Sequence, residues 1–149
     1  MTASTTTSAG TAERRGVCRL VPLEHHQDER GILSVLEPEQ ALGFVVRRVY
    51  YLHGLEAGAS RGGHAHRRLE QFVIAVHGSF TISLDDGFQT TEYRLDQPEL
   101  GLYIGPMVWG ELSDFSAGTV CLVLASEPFD EADYFRDHAE FLRMSRRRP

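Results

Sequence analysis

The run Ser79-Phe80-Thr81-Ile82-Ser83-Leu84-Asp85-Asp86-Gly87-Phe88-Gln89-Thr90-Thr91-Glu92-Tyr93-Arg94-Leu95 decides the fold class. Phe80, Ile82 and Leu84 alternate with Thr and Ser, so an extended chain puts the apolar side chains on one face and the hydroxyls on the other. Asp85-Asp86-Gly87 supplies residues that tolerate positive φ, which a tight reversal needs. An antiparallel hairpin is predicted. Working outward, short β-branched or aromatic runs recur at 17–23, 31–36, 44–52, 71–78, 101–105 and 119–126. Gly78, Asp96, Pro98 and Gly101 punctuate the gaps between them. Short strands at this spacing, with no internal repeat, predict an all-β sandwich or barrel.

Only the C-terminal segment reads as helix. Asp130 can cap it, Glu131 and Asp133 suit its positive end, and Phe135, Ala139 and Leu142 recur at helical spacing, with Arg143 and Arg146 near its negative end. Its apolar stripe can pack on the sheet or on a second subunit.

The 149 residues fit one compact domain, expected over 17–149. The Thr/Ser/Ala-rich stretch 1–16 offers little to bury and is expected to be a flexible leader without a secretory signal. All 15 basic residues are Arg, against 21 acidic ones, for a formal charge of −6. The absence of Lys excludes Schiff-base chemistry, a phosphate-loop lysine and a lysine base. The acidic balance argues against general nucleic-acid binding, and no run is long enough to span a bilayer. Arg146, Arg147 and Arg148 read first as a solvated tail. Cys18 and Cys121 lie far apart with no metal or redox spacing, so they are expected to be free thiols in a reducing compartment, the cytoplasm.

The chemistry concentrates in Arg61-Gly62-Gly63-His64-Ala65-His66, followed by Gln71 and Gly78. Residues two apart on a strand point the same way, so His64 and His66 present both imidazoles to one side of a sheet. An isolated pair of this kind is commonly two surface histidines on an edge strand. Here Arg61 adds a permanent cation, Gly62 and Gly63 permit close backbone approach, and Tyr50-Tyr51 ends the preceding strand. Only one of those tyrosines can readily share the face of the histidines.

The spacing of Gly58, His64, His66, Gln71 and Gly78 resembles the first motif of the cupin superfamily, a small jelly-roll β-barrel whose two His and one Glu often hold a metal. Gln71 stands in the slot usually filled by Glu, and 101–114 contains no His to complete a metal set. Two good ligands remain where zinc or iron needs at least three, so no metal is expected and the histidines are free for acid–base work.

RRVYYL, RGGHAHRRLEQ, LDDG, GLYIGPMVW, LVLAS and DEADY, in that order, resemble the sugar 3,4-ketoisomerases from about Val17 to the C-terminal helix. The resemblance implies a metal-independent homodimeric β-barrel without cofactor. Such an enzyme moves the keto group of dTDP-4-keto-6-deoxyglucose from C4 to C3 through an enediol or enediolate, in deoxysugar biosynthesis. It implies His64 as base, with His66 moving protons between the sugar oxygens or helping the base. Arg61 and one of Tyr50 or Tyr51 would face the enediolate; Arg61 could instead grip the diphosphate. Gln71 would bond the sugar or a histidine, or be a core amide. Arg30, in an Arg-Gly turn, would meet phosphate or be a surface residue, and Trp109 with Tyr103 would wall the sugar or base or simply pack. Gly110 departs from the family, which often carries His after this Trp. An epimerase and a non-catalytic sugar-nucleotide-binding barrel are the alternatives.

Overall fold

The alternation along the central hairpin is realised in a computed structural model that describes residues 14–147. Strands β7 (Phe80–Asp85) and β8 (Thr90–Leu95) pair antiparallel, from Phe80 opposite Leu95 to Asp85 opposite Thr90. Gly87 takes φ +96° in the reversal, and the Asp85 and Asp86 carboxylates accept the N–H groups of Gly87, Phe88 and Gln89. The turn thereby satisfies its own amides.

The remaining strands are β1 (Cys18–Pro22), β2 (Glu24–Asp28), β3 (Gly31–Val35), β4 (Arg48–Leu52), β5 (Arg61–His66), β6 (Gln71–His77), β9 (Leu100–Ile104), β10 (Trp109–Ser113), β11 (Val120–Ala125) and β12 (Tyr134–Phe135). Helix α1 (Pro38–Leu42) and helix α2 (His138–Ser145) complete the elements, with a 3-10 turn at Glu131–Asp133. Two antiparallel sheets, in the orders β1-β9-β6-β11-β4 and β12-β5-β10-β7-β8, form a cupin jelly roll, and β2 and β3 make a separate ribbon.

Phe80, Ile82 and Leu84 of one sheet meet Val73, Ala75, Leu102, Ile104, Cys121 and Val123 of the other. The outer faces are covered as well. Phe72, Ile74 and Tyr103 pack beneath Leu42 and Phe44, while Ala65, Trp109 and Phe135 pack beneath Phe141 of α2. A strand covered on both sides needs apolar residues at consecutive positions, which is why 72–76 reads as an unbroken apolar run.

Several expectations are corrected. The helix begins at His138, not after Asp130. Asp130 caps the 3-10 turn, Phe135 belongs to a strand, and Asp137 caps α2 by accepting from Ala139 and Glu140. The apolar stripe of α2 settles on the outer face of the second sheet. The expected leader lies outside the described residues over 1–13. Of its last residues, Arg14 pairs at 2.9 Å with Glu70, and the N–H of Gly16 donates to the Pro106 carbonyl. Strand β2 escaped the sequence reading because Glu24-His25-His26-Gln27-Asp28 is polar and exposed throughout. Cys121 is buried and Cys18 partly so; both are free, with burial pushing each thiol up to about 12. Among the described residues no helix is long and apolar enough to cross a membrane.

Candidate active site

Strand β5 carries the paired histidines, and its shape depends on glycine. Gly62 and Gly63 take φ +90° and +80°, and a Cβ on Gly62 would stand 2.7 Å from the Gly110 carbonyl oxygen. The register between β5 and β10 slips here, from Gly110 opposite His64 to Glu111 opposite Gly62. This bulge re-aims the strand. As a result Arg61, Gly62, His64 and His66 all line one cavity between the sheets, together with Tyr50, Gln71 and Gly110 and an apolar floor that includes Val73, Ile82, Leu84 and Val123. Its volume is about 660 Å³ with the open mouth included.

The two imidazoles stand edge to face with ring centroids 5.0 Å apart. Tyr134 of β12 completes the cluster, its ring 5.0 Å from His64 and 4.3 Å from His66. Desolvation, reinforced by the neighbouring His66 and Arg136, pushes His64 down to about 4, so it is a neutral imidazole at ordinary pH. His66 is 6% exposed, and its Nδ1 lies 3.7 Å from Asp133 Oδ2. Burial raises Asp133, but His66, the Leu69 N–H and Arg68 outweigh it and hold the carboxyl below its ordinary range. Tyr50 points inward and accepts a hydrogen bond from Gln71 Nε2 at 3.2 Å, and burial pushes its hydroxyl up to about 12. Among the described residues no three His, Cys, Asp or Glu side chains gather as a metal set.

Four expected site residues lie elsewhere. Tyr51, one residue from Tyr50, is 61% exposed on the opposite face of β4. Tyr103 is buried on the outer face of the first sheet, where its hydroxyl donates to Glu70 at 2.6 Å. Trp109 faces α2, its ring 5.0 Å from His138 and its Nε1 donating to Glu111. Neither aromatic walls the cavity. Arg30 sits on the exposed β2–β3 turn, its Nε and terminal amine donating to Asp28, and does not line the cavity. Gln71 serves Tyr50 rather than a histidine. Gly110 lines the cavity opposite His64, so a side chain at this position would project into it.

Other residues arrive without having been foreseen. Asp133 and Tyr134 enter from the C-terminal segment through the pairing of Tyr134 with His66. Arg48 lies on the Tyr50 face of β4, flanked by the Tyr50 ring at 5.3 Å and the Phe129 ring at 5.8 Å. It lines a second concavity shared with His66, Phe129, Asp133 and Tyr134. Its Nε is buried without an acceptor among the described residues. Nearby carboxylates serve other cations: Glu127 serves Arg47, and Asp130 serves Arg68.

Residues 17–146, the whole barrel with its histidine cavity, match the family described as FdtA: WxcM-like, C-terminal. The chain belongs to that family. A relative, the TDP-4-oxo-6-deoxy-alpha-D-glucose-3,4-oxoisomerase of Aneurinibacillus thermoaerophilus, is 44% identical over 114 residues, covering 76% of this chain and 82% of its own. Among solved structures, a His-to-Asn variant of the 3,4-ketoisomerase QdtA from Thermoanaerobacterium thermosaccharolyticum, in complex with TDP-4-keto-6-deoxyglucose, is 36% identical with a TM-score of 0.85, covering 88% of this chain and 95% of that one. The WlaRB TDP-quinovose 3,4-ketoisomerase of Campylobacter jejuni is 42% identical with a TM-score of 0.81, covering 85% and 97%. In this FdtA-like chain the motif histidines face inward and face each other.

Proposed function

We propose that this FdtA-like chain is a TDP-sugar 3,4-ketoisomerase that moves the keto group of TDP-4-keto-6-deoxyglucose from C4 to C3, a step of deoxysugar biosynthesis. The observation that carries the reading is the pair of adjacent, inward-facing imidazoles in the barrel cavity of a chain 44% identical to an oxoisomerase. Neutral His64 takes the proton from C3, leaving an enediolate, exchanges that proton with solvent, and delivers a proton to C4. Arg61, which lines the cavity and meets no carboxylate among the described residues, stabilises the enediolate oxygen. Tyr50, fixed by Gln71, orients the sugar hydroxyls. The test is incubation with TDP-4-keto-6-deoxyglucose in deuterated water, with NMR of the product. A carbonyl at C3 with deuterium at C4 is expected. Exchange without carbonyl migration would instead indicate an epimerase, and binding without exchange a non-catalytic barrel.

Arg48 is assigned to the diphosphate. A guanidinium with a desolvated, unpaired Nε offers forked donors to phosphate oxygens. Arg48→Gln is expected to raise the Kd for TDP about 10- to 100-fold, the worth of one or two charge-assisted hydrogen bonds. Thymidine affinity should be unchanged. Titration calorimetry with both ligands checks this, and equal losses for the two would remove Arg48 from the diphosphate.

A homodimer fits the exposed β2–β3 ribbon, since a lone two-stranded hairpin is marginal in water and this one displays Ile32 and Leu33. The outer face of edge strand β4 displays Val49 and Tyr51. Ultracentrifugation should find a dimer that Leu33→Asp converts to monomer; a wild-type monomer would end this assignment. The reaction is placed in the cytoplasm, where the two free thiols stay reduced. Cell fractionation recovering the protein outside the cytosol would refute that.

A further inference from the structure

Asp133 belongs to none of the motifs that marked the site, yet it is the most completely held carboxylate near the cavity. It is 5% exposed. Oδ1 accepts from the Arg68 N–H at 2.9 Å and from Arg68 Nε at 3.3 Å, and Oδ2 accepts from the Leu69 N–H at 3.2 Å. The carboxylate cannot rotate away without leaving two backbone donors unsatisfied. Thus fixed, it presents Oδ2 to His66 Nδ1 at 3.7 Å, an ion-pair distance that a small closure turns into a hydrogen bond.

The other nitrogen of that ring is in the opposite situation. His66 Nε2 is buried and has no hydrogen-bond partner among the described residues, in a side chain that lines the cavity. A buried polar nitrogen left unpaired costs free energy unless a ligand meets it. A carboxylate beside one imidazole nitrogen and a vacant acceptor position at the other make the arrangement that orients a catalytic histidine: the carboxylate fixes the tautomer and stabilises the imidazolium when it forms.

We infer that Asp133 is the positioning residue of His66, holding its proton on Nδ1 so that bare Nε2 can carry a proton between the two sugar oxygens. This rests on the proposed ketoisomerase reaction and divides its labour. After His64 has removed the C3 proton, the enediolate bears a hydroxyl at C3 and an oxyanion at C4. His66 Nε2 takes the proton from the C3 oxygen, becomes an imidazolium opposite the Asp133 carboxylate, and releases that proton to the C4 oxygen. The charge now lies on the C3 oxygen, and protonation of C4 by His64 forms the new carbonyl. Both histidines end neutral. The other charged and titratable groups around His66 are His64 and Tyr134, clustered beside it with ring centroids 5.0 Å and 4.3 Å away, Arg68 behind Asp133, and Arg48 across the second concavity. None of these places a carboxylate on Nε2.

The test is Asp133→Asn. An amide there removes the negative charge and permits the other tautomer. Carbonyl migration is expected to fall about 10- to 100-fold, the lower part of what one acid–base group contributes, with KM within about twofold by the same logic that the loss is confined to the transition state. Exchange of the C3 proton with deuterated water should persist, because His64 is untouched, so the ratio of exchange to turnover rises. A merely structural role would depress exchange and turnover together, and that result would overturn the inference, as would wild-type turnover. Should the variant fail to fold, nitrogen-15 NMR of histidine-labelled wild type decides: His66 with its proton on Nδ1 and bare Nε2 supports the assignment, and the reverse overturns it. If wild type exchanges no sugar proton at all, the ketoisomerase reading fails, while the tautomer measurement still reports on Asp133.

Discussion

Replacing His64 by Asn is expected to lower kcat by about 10²- to 10⁴-fold, the range for removal of a general base, while TDP still binds. Asn nearly reproduces the shape of the imidazole but cannot accept a proton at neutral pH. The diphosphate contacts assigned to Arg48 are untouched. The pH profile supplies a second arm. Desolvation, reinforced by the neighbouring His66 and Arg136, holds His64 near 4 rather than 6.5, so the base-competent form survives well into acid. The acid limb of kcat/KM should fall as pH drops through about 4; a midpoint at the ordinary imidazole value would contradict the burial of the ring. The same shift has a stability consequence. Between about 6.5 and 4 the unfolded chain binds a proton that the folded chain does not, so stability is full above this window and declines as pH falls through it. A weak base must be helped by placement, and the barrel supplies it by holding the ring beside the reacting carbon.

The histidine pair and the hairpin were legible because both depend on the two-residue period of an extended chain. Parity does not give phase, however. Tyr50-Tyr51 shows that one ring enters the barrel and the other leaves it, and only the pairing of β4 with β11 decides which. Trp109 and Tyr103 mislead for a related reason. Because α1 and α2 cover the outer faces of the sheets, a large aromatic side chain can point away from the cavity and still be buried. In the C-terminal segment Asp130 and Asp137 are both good caps, and the sequence offers no means of choosing between them. The short strand Tyr134–Phe135 intervenes, pairing with His66 and Ala65 some seventy residues earlier in the chain. Asp133 and Tyr134 reach the site through that long-range pairing, which no local pattern announces. Their one local signal was the cluster Asp130-Glu131-Ala132-Asp133-Tyr134, which reads equally well as a helix start.

That dependence on a two-residue strand makes Phe141→Ala the most damaging change expected away from the cavity. Phe141 is fully buried, its ring 5.9 Å from Trp109 and 6.1 Å from Phe135. Truncating such a residue costs about 3–5 kcal/mol, from lost burial and the void left behind, against a total stability of about 5–15 kcal/mol for a native domain. Urea unfolding should show that loss directly. The functional loss should be larger than global unfolding explains. Phe135 is held between α2 and β5, and its chain neighbours Asp133 and Tyr134 contact the histidines, so loosening the packing under α2 frees that strand before the barrel opens. Hydrogen exchange should therefore rise first at 133–135 and in α2, with kcat falling at temperatures where the barrel remains folded. TDP should recover part of the stability by mass action, through its preference for the folded site. Uniform exchange across both sheets, with kcat following the folded fraction alone, would show that β12 is held by the barrel itself and that α2 contributes only bulk.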